Sequence, residues 1–290
     1  MKLSVAMGTF YPTRDRKQYR TMEELFKICS DAGFTTLEVT PSWGADWKES
    51  TDKALQLADK YGVEIEQAHA PANFYPRQSP ESFALILDRS VESAIRMNLK
   101  QLVFHMDEYH APSAEEFDPE EGLKCAYETL APHVEKALAG GVKVALETIF
   151  EDRITTGKPG RTHFGGTIEE LTASIEKFNH PDVGCCWDFG HSAIAYGEKQ
   201  CDVMRQLGKH IICTHTHDNY YNRDLHVMPF MGQLPWEPLM HTLKEIGYQG
   251  SLSFEFAYGR YPDRIIEDFL KLAYKTGLVL VDMFEGKEIR

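Results

Sequence analysis

Gly140-Gly141-Val142-Lys143-Val144-Ala145-Leu146-Glu147 is the stretch that decides how this chain folds. A glycine pair stops a helix expected over residues 119–139, an apolar run follows over 142–146, and a lone acid closes it. The same phrase repeats in both directions. Upstream, the run 3–7 precedes a helix expected over 21–32 and stopped by Gly33. The run 36–39 precedes a helix over 50–61 stopped by Gly62, and 63–68 precedes one over 79–97. There Ser79-Pro80-Glu81-Ser82 supplies an N-cap and a first-position proline. The run 102–104 precedes the helix 119–139. Downstream, a long loop leads to a helix over 167–178, opened by the capping-box pattern Thr167-Ile168-Glu169-Glu170. Then 183–187 leads to 199–207 and Gly208, 211–214 leads to 236–246 and Gly247, and 252–254 leads to a last helix over 263–278.

Eight strand–helix units in succession predict parallel strands joined by right-handed crossovers. In 290 residues with no linker or low-complexity tract, they predict an α/β fold, a (β/α)8 TIM barrel forming a single domain over 1–290. A doubly wound sheet would carry a glycine-rich phosphate turn after an early strand, and Met7-Gly8-Thr9-Phe10 supplies none. The net charge of −13 argues against nucleic-acid binding, which rests on a basic footprint. No apolar run reaches the length of a membrane span, and Met1–Met7, broken by Gly8, is too short for a secretory signal. Six scattered cysteines (Cys29, Cys125, Cys185, Cys186, Cys201, Cys213) without a CxxC read as free thiols in a reducing cytoplasm. A homo-oligomer is compatible with the sequence.

What closes each run carries the chemistry. His69 follows 63–68, His105 follows 101–104, Glu147 follows 142–146, Asp188 follows 183–187, His215 follows 210–214, and Glu255 follows 251–254. In a barrel these strand ends share one rim, where active sites lie. Neighbouring strands are about 4.8 Å apart, so Glu147, Asp188, His215 and Glu255 are able to meet around one ion. Three carboxylates and one imidazole suit Mn²⁺, Mg²⁺ or Co²⁺ with positions left for substrate oxygens. His191 lies three residues past Asp188, and His217, Asp218, Asp224 and His226 crowd the loop after the seventh strand. His133, His163, His180, His210 and His241 are expected on the surface.

His69-Ala70-Pro71, Glu147, Asp188-Phe189-Gly190-His191, His215-Thr216-His217-Asp218-Asn219, Arg223-Asp224-Leu225-His226 and Ser253-Phe254-Glu255 together resemble the xylose-isomerase-like TIM-barrel superfamily. That superfamily holds sugar and sugar-phosphate isomerases and epimerases, related dehydratases, and type IV apurinic endonucleases, and the resemblance spans nearly the whole chain. It implies one divalent metal, Mn²⁺ first and Mg²⁺, Co²⁺ or Zn²⁺ as alternatives, on Glu147, Asp188, His215 and Glu255. His215 rather than His217 is the implied ligand, because the family's acid follows its ligand by three, as Asp218 does here. The nuclease branch builds a three-zinc site whose further positions match His69, His105, His191, Asp224 and His226. Glu147-Thr148-Ile149-Phe150 departs from that branch, which places small and polar residues after the glutamate.

The expected reaction is proton transfer on a sugar or sugar-like hydroxy-ketone through an enediolate, with Glu147 and Glu255 as catalytic acid and base. His69, His105, His191, Trp187 and Arg223 are expected to bind the small carbohydrate substrate. Phe10, Tyr11, Trp43, Phe74, Tyr75 and Tyr220 are expected as rim aromatics, and Arg14, Arg153, Arg161 and Arg260 as loop cations near the site. The loop 151–166 reads as a lid or specificity loop. A lyase or dehydratase on a polyol, a three-zinc nuclease and a non-catalytic sugar-binding protein are the competing readings.

Overall fold

In a computed structural model, which describes residues 1–7, 20–72, 79–106, 109–150, 160–257 and 261–289, the eight runs form one closed parallel barrel in sequence order. The strands are β1 Leu3–Ala6, β2 Thr36–Val39, β3 Glu64–His69, β4 Gln101–Phe104, β5 Lys143–Glu147, β6 Val183–Asp188, β7 Ile211–Thr216 and β8 Leu252–Phe254. Closure runs through β1 and β8, which pair Leu3 with Leu252 and Val5 with Phe254. The helices are α1 Met22–Ala32, α2 Trp47–Tyr61, α3 Pro80–Arg96, α4 Pro119–Ala139, α5 Ile168–Phe178, α6 Phe189–Tyr196, α7 Gln200–Leu207, α8 Trp236–Glu245 and α9 Asp263–Glu285.

Local chemistry sets the helix ends. Thr21 caps α1 by accepting from Glu24 N while the Glu24 carboxylate accepts from Thr21 N, and Gly33 ends the helix at φ +110°. Ser79 caps α3 with Pro80 in the first position, as expected. Before α5 only half of the expected box forms: Thr167 accepts from Glu170 N, but Glu170's carboxylate takes Gly165 N at 2.9 Å and Arg161 instead. Nothing in the sequence pattern announces α6. It starts directly from the last residue of β6, where Asp188 Oδ1 accepts from His191 N at 2.6 Å as its N-cap. The last helix runs past the expected 278 because Leu280 is buried, and it stops at Gly286 in the left-handed region.

Strand alternation sorts the side chains into two compartments. Val144, Leu146, Cys185, Trp187, Leu102 and Phe104 point outward into the core between barrel and helices. Their neighbours Val103, Ala145, Cys186 and Cys213 point inward and form a small cluster inside the barrel. Two residues beyond that inner layer on each strand come His105, Glu147, Asp188 and His215, at the C-terminal mouth. The register aligns them, with Glu147 beside Cys186 and Asp188 beside His215. All six cysteines are free, as expected. Among the described residues, no helix is long and apolar enough to cross a membrane.

Candidate metal centre

At that mouth, Glu147 is fully buried and touches four imidazoles. His69 Nε2 lies 2.8 Å and His105 Nε2 2.9 Å from its Oε2, while His215 Nδ1 lies 3.0 Å and His191 Nδ1 3.3 Å from its Oε1. His215 Nδ1 also faces Glu255 Oε2 at 3.4 Å and Asp188 Oδ2 at 3.9 Å. One nitrogen is thus ringed by three carboxylates, two of them sealed from solvent. A second cluster lies beside the first. His217 Nε2 sits 3.0 Å from Asp188 Oδ2 and 3.8 Å from Asp224 Oδ1, and its ring stacks on His226 at 4.0 Å. Asp224 Oδ2 lies 2.8 Å from His226 Nε2 and 3.5 Å from His191 Nε2. His226 adopts φ +48°, a conformation uncommon outside glycine, and its Nδ1 donates to Glu255 O at 2.8 Å.

The electrostatics follow from these contacts. Burial alone would push the Glu147 carboxyl up, but the surrounding imidazoles, His215 and His105 foremost, hold it well below the ordinary range. Asp188 and Asp224 are likewise lowered against the effect of burial, the first by His191 and His217, the second by His226 and His191. Conversely, burial disfavours charge on His215, yet Glu38, Glu147 and Glu255 raise it well above the usual imidazole value. His191 is raised by Asp188 and Asp224, and His226 is pushed up to about 10, chiefly by Asp224, in each case against burial.

Among the described residues, three sets of donors lie close enough for ion binding, each with its ligand atoms within 4.8 Å of one another. They are Glu147, Asp188, His215 and Glu255; His69, His105 and Glu147; and His191, His217, Asp224 and His226. The first set is the expected quartet. Its chemistry fits a divalent ion: three carboxylates converge on one imidazole nitrogen, and their mutual repulsion is what a bound dication relieves. The expected additional residues His69, His105, His191, Asp224 and His226 fall into the other two sets.

A cavity of about 530 Å³ opens above the cluster. Its lining includes Glu147, Glu255, His69, His105, His191, Asp224 and His226 together with the apolar residues Val39, Trp43, Pro71 and Ala257. Asp188 and His215 lie beneath its floor, both fully buried. No lysine or arginine lines it among the described residues.

Several expectations need correction. Trp187 is fully buried in the outer core, stacked on Tyr196 at 6.2 Å, and does not reach the cavity. Strand parity is the reason: Trp187 precedes the inward Asp188 by one residue, so it points to the opposite face. Arg223 is exposed and does not line the cavity. Arg161 is held by Glu170 and lies over the Phe117 ring at 4.6 Å, and the Tyr220 hydroxyl donates to Met231 O. His133 is buried rather than on the surface. Trp43 does line the cavity. Phe10, Tyr11, Phe74, Tyr75, Arg14, Arg153, Arg260 and residues 151–159 of the expected lid lie outside the described residues.

Two residues of the site were missed. His217 was set aside in favour of His215, although a spacing of two on a strand puts both on one face. Glu38, inside Thr36-Leu37-Glu38-Val39, lines the cavity and lies 3.0 Å from His215 Nε2. The signal for it was a lone charge within an otherwise apolar strand.

The model of the family described as xylose isomerase-like TIM barrel matches residues 26–276. An uncharacterised protein of Sinorhizobium fredii, y4fM, is 21% identical over 284 residues, covering 87% of this chain and 86% of its own length. Among solved structures, a D-tagatose 3-epimerase-like protein is 24% identical, with a TM-score of 0.73 over 97% of this chain and 98% of its own. The IOLI protein, solved with a zinc atom, is 18% identical, with a TM-score of 0.74 over 98% and 99%. At these identities the structural likenesses speak to the fold, and the match over residues 26–276 supplies the kinship: the chain belongs to the xylose isomerase-like TIM barrel family.

Proposed function

We propose that this protein is a divalent-metal-dependent isomerase or epimerase of a sugar or sugar-like hydroxy-ketone, with Glu147 and Glu255 as the acid/base pair. One observation carries the reading: of the four quartet residues, these two glutamates line the cavity, while Asp188 and His215 do not. Two carboxylates that both hold an ion and reach a substrate are what proton transfer beside a carbonyl requires. The names of structural neighbours that act on ketoses support the same class, among them D-psicose 3-epimerase with D-tagatose bound.

When bound by the quartet, a divalent ion (Mn²⁺ first, with Mg²⁺, Co²⁺ or Zn²⁺ as alternatives) supplies Lewis-acid polarisation of the substrate carbonyl. The protein's own groups do the rest. One glutamate removes the proton from the carbon beside the carbonyl, and the other returns a proton to the intermediate. His69 and His105, both on Glu147 Oε2, fix that carboxylate in direction, and His215 and His105 favour its ionised form. His191, lining the cavity, is placed to donate to a substrate oxygen. Trp43, which lines the same cavity, offers its ring to an apolar sugar face.

Glu255→Gln should bind metal within a few-fold of the parent and lose turnover by roughly 10²–10⁴-fold. Exchange of solvent deuterium into candidate ketoses reads the step directly, and full exchange by Glu255→Gln would rule out its acid/base role. A lyase or dehydratase would begin with the same proton removal, and product analysis separates it. A second reading, hydrolytic chemistry on several ions, draws on the three donor sets. Counting ions per chain decides between them: one ion supports the isomerase or lyase, three zinc ions the nuclease-like alternative. The net charge of −13 weighs against a nucleic-acid substrate.

A further inference from the structure

We infer that Glu38 is a positioning residue that fixes which nitrogen of His215 faces the metal. The inference rests on reading Glu147, Asp188, His215 and Glu255 as the metal quartet. Each ring nitrogen of His215 has a distinct carboxylate environment. Nε2 meets Glu38 Oε1 at 3.0 Å, deep in the barrel, and Nδ1 meets the other three acids. When Nε2–H donates to Glu38, Nδ1 is left with its lone pair toward the quartet. A histidine ligand held by a carboxylate on its far nitrogen has its tautomer, ring angle and basicity set by that partner.

Glu38 is built in rather than incidental. Its side chain is 3% exposed, and its Oε2 accepts from Ser253 Oγ at 2.6 Å and from Gln67 Nε2 at 2.8 Å. Gln67 Oε1 in turn accepts from Gln101 Nε2 at 3.0 Å. The chain of contacts therefore runs from β4 through β3 to β2, and on to β8 and β7. The β2–β3 pairing slips between Leu37 and Glu38, so that Leu37 faces Ile65 and Glu38 faces Gln67. That irregularity places Glu38 beside the amide that holds it, a use to which strand bulges are commonly put.

The test uses Zn²⁺, which is diamagnetic, and compares the parent with Glu38→Ala, Glu38→Gln and His215→Asn. ¹⁵N-histidine spectra of the zinc-loaded parent, with His215 assigned by its loss in His215→Asn, should show Nε2 protonated and Nδ1 bound. Chelator competition should show the site lost in His215→Asn weakened about 10–100-fold in Glu38→Ala. Glu38→Gln, which keeps an acceptor oxygen, should stay within a few-fold. Nε2 as the bound nitrogen in the parent, or unchanged affinity in Glu38→Ala, overturns the inference about Glu38. A parent that binds no zinc overturns the quartet reading and this inference with it. Melting of the metal-free variants separates a fold defect from a ligand defect, and the nitrogen assignment in the parent stands even where Glu38→Ala does not fold.

Discussion

Gly190 sits in the first turn of α6, where a Cβ would stand 1.9 Å from His217 Cε1, 2.4 Å from Nδ1 and 2.7 Å from Nε2. Ordinary carbon contacts are about 3.5–4.0 Å, so Gly190→Ala requires a ring shift of roughly 1.5–2 Å. Nothing there yields easily. The His217 ring is fully buried, stacked on His226 at 4.0 Å, and its Nε2 is 3.0 Å from Asp188 Oδ2. The helix is equally pinned, by Asp188 on His191 N and by Asn219 Nδ2 donating to Gly190 O at 2.7 Å. Overpacking costs about 1–3 kcal/mol, and loss of the charge-assisted contact to Asp188 costs about 1.5–3. Against these, replacing glycine within a helix returns about 0.5–1 kcal/mol. A net loss of roughly 2–5 kcal/mol should lower Tm by on the order of 10 °C. Thermal melts of metal-free parent, Gly190→Ala, His217→Ala and the double variant form a cycle. Because His217→Ala removes the obstacle, the cycle should show a coupling of about 1–3 kcal/mol. Additive losses, or a stabilised Gly190→Ala, would refute the placement of His217 against this glycine.

In metal-free protein, stability should depend on pH on both sides of neutrality. His226 is raised to about 10, so its contribution is fully present below the usual 6.5 and lost as pH climbs through 10. Asp224 is lowered well below 3.8, so its contribution holds above that value and fades as pH falls beneath it. Urea melts in chelator should therefore lose midpoint between pH 7 and 10, and a flat profile over that range would contradict the assignment. Trp43→Ala should raise KM for the sugar by roughly 2–10-fold, the worth of one ring contact, with little change in kcat. A fall in kcat with KM unchanged would place Trp43 in the chemistry instead.

The barrel was legible because its evidence is periodic: eight apolar runs recur, five of the helices that follow end at glycine, and six runs close on an acid or a histidine, so each repeat checks the others. The quartet was legible for the same reason, since the last inward position of a barrel strand opens on the mouth. What escaped depends on parity and on residues with two duties. Trp187 was assigned to substrate from its nearness to Asp188 along the chain, whereas a strand sends neighbours to opposite faces. As a candidate ligand Asp188 gives no sign in the sequence that it also caps α6, and with that cap the whole helix is hidden. Glu38 lay inside a strand rather than at its end, and its partners come from strands distant in sequence.

The cavity wall also shows why histidine, rather than arginine or lysine, surrounds these acids. An arginine cannot give up its proton and would hold its charge where the proposed ion would sit. In the metal-free protein the carboxylates beside them raise the His191, His215 and His226 imidazoles against the effect of burial, His226 to about 10, which favours protons that balance the buried acids. The nitrogen lone pairs that an ion needs are then the ones those protons occupy. If the quartet takes an ion as proposed, binding is expected to be an exchange in which loading releases protons and affinity strengthens as pH rises toward the elevated imidazole values. Titration calorimetry with Zn²⁺ in two buffers of different ionisation enthalpy measures the release, which should be at least one proton per ion at pH 7. Loading without proton release would mean that the imidazoles were already neutral. The acids would then be met by neutral hydrogen-bond donors alone, and the charge balance drawn from these contacts would be wrong.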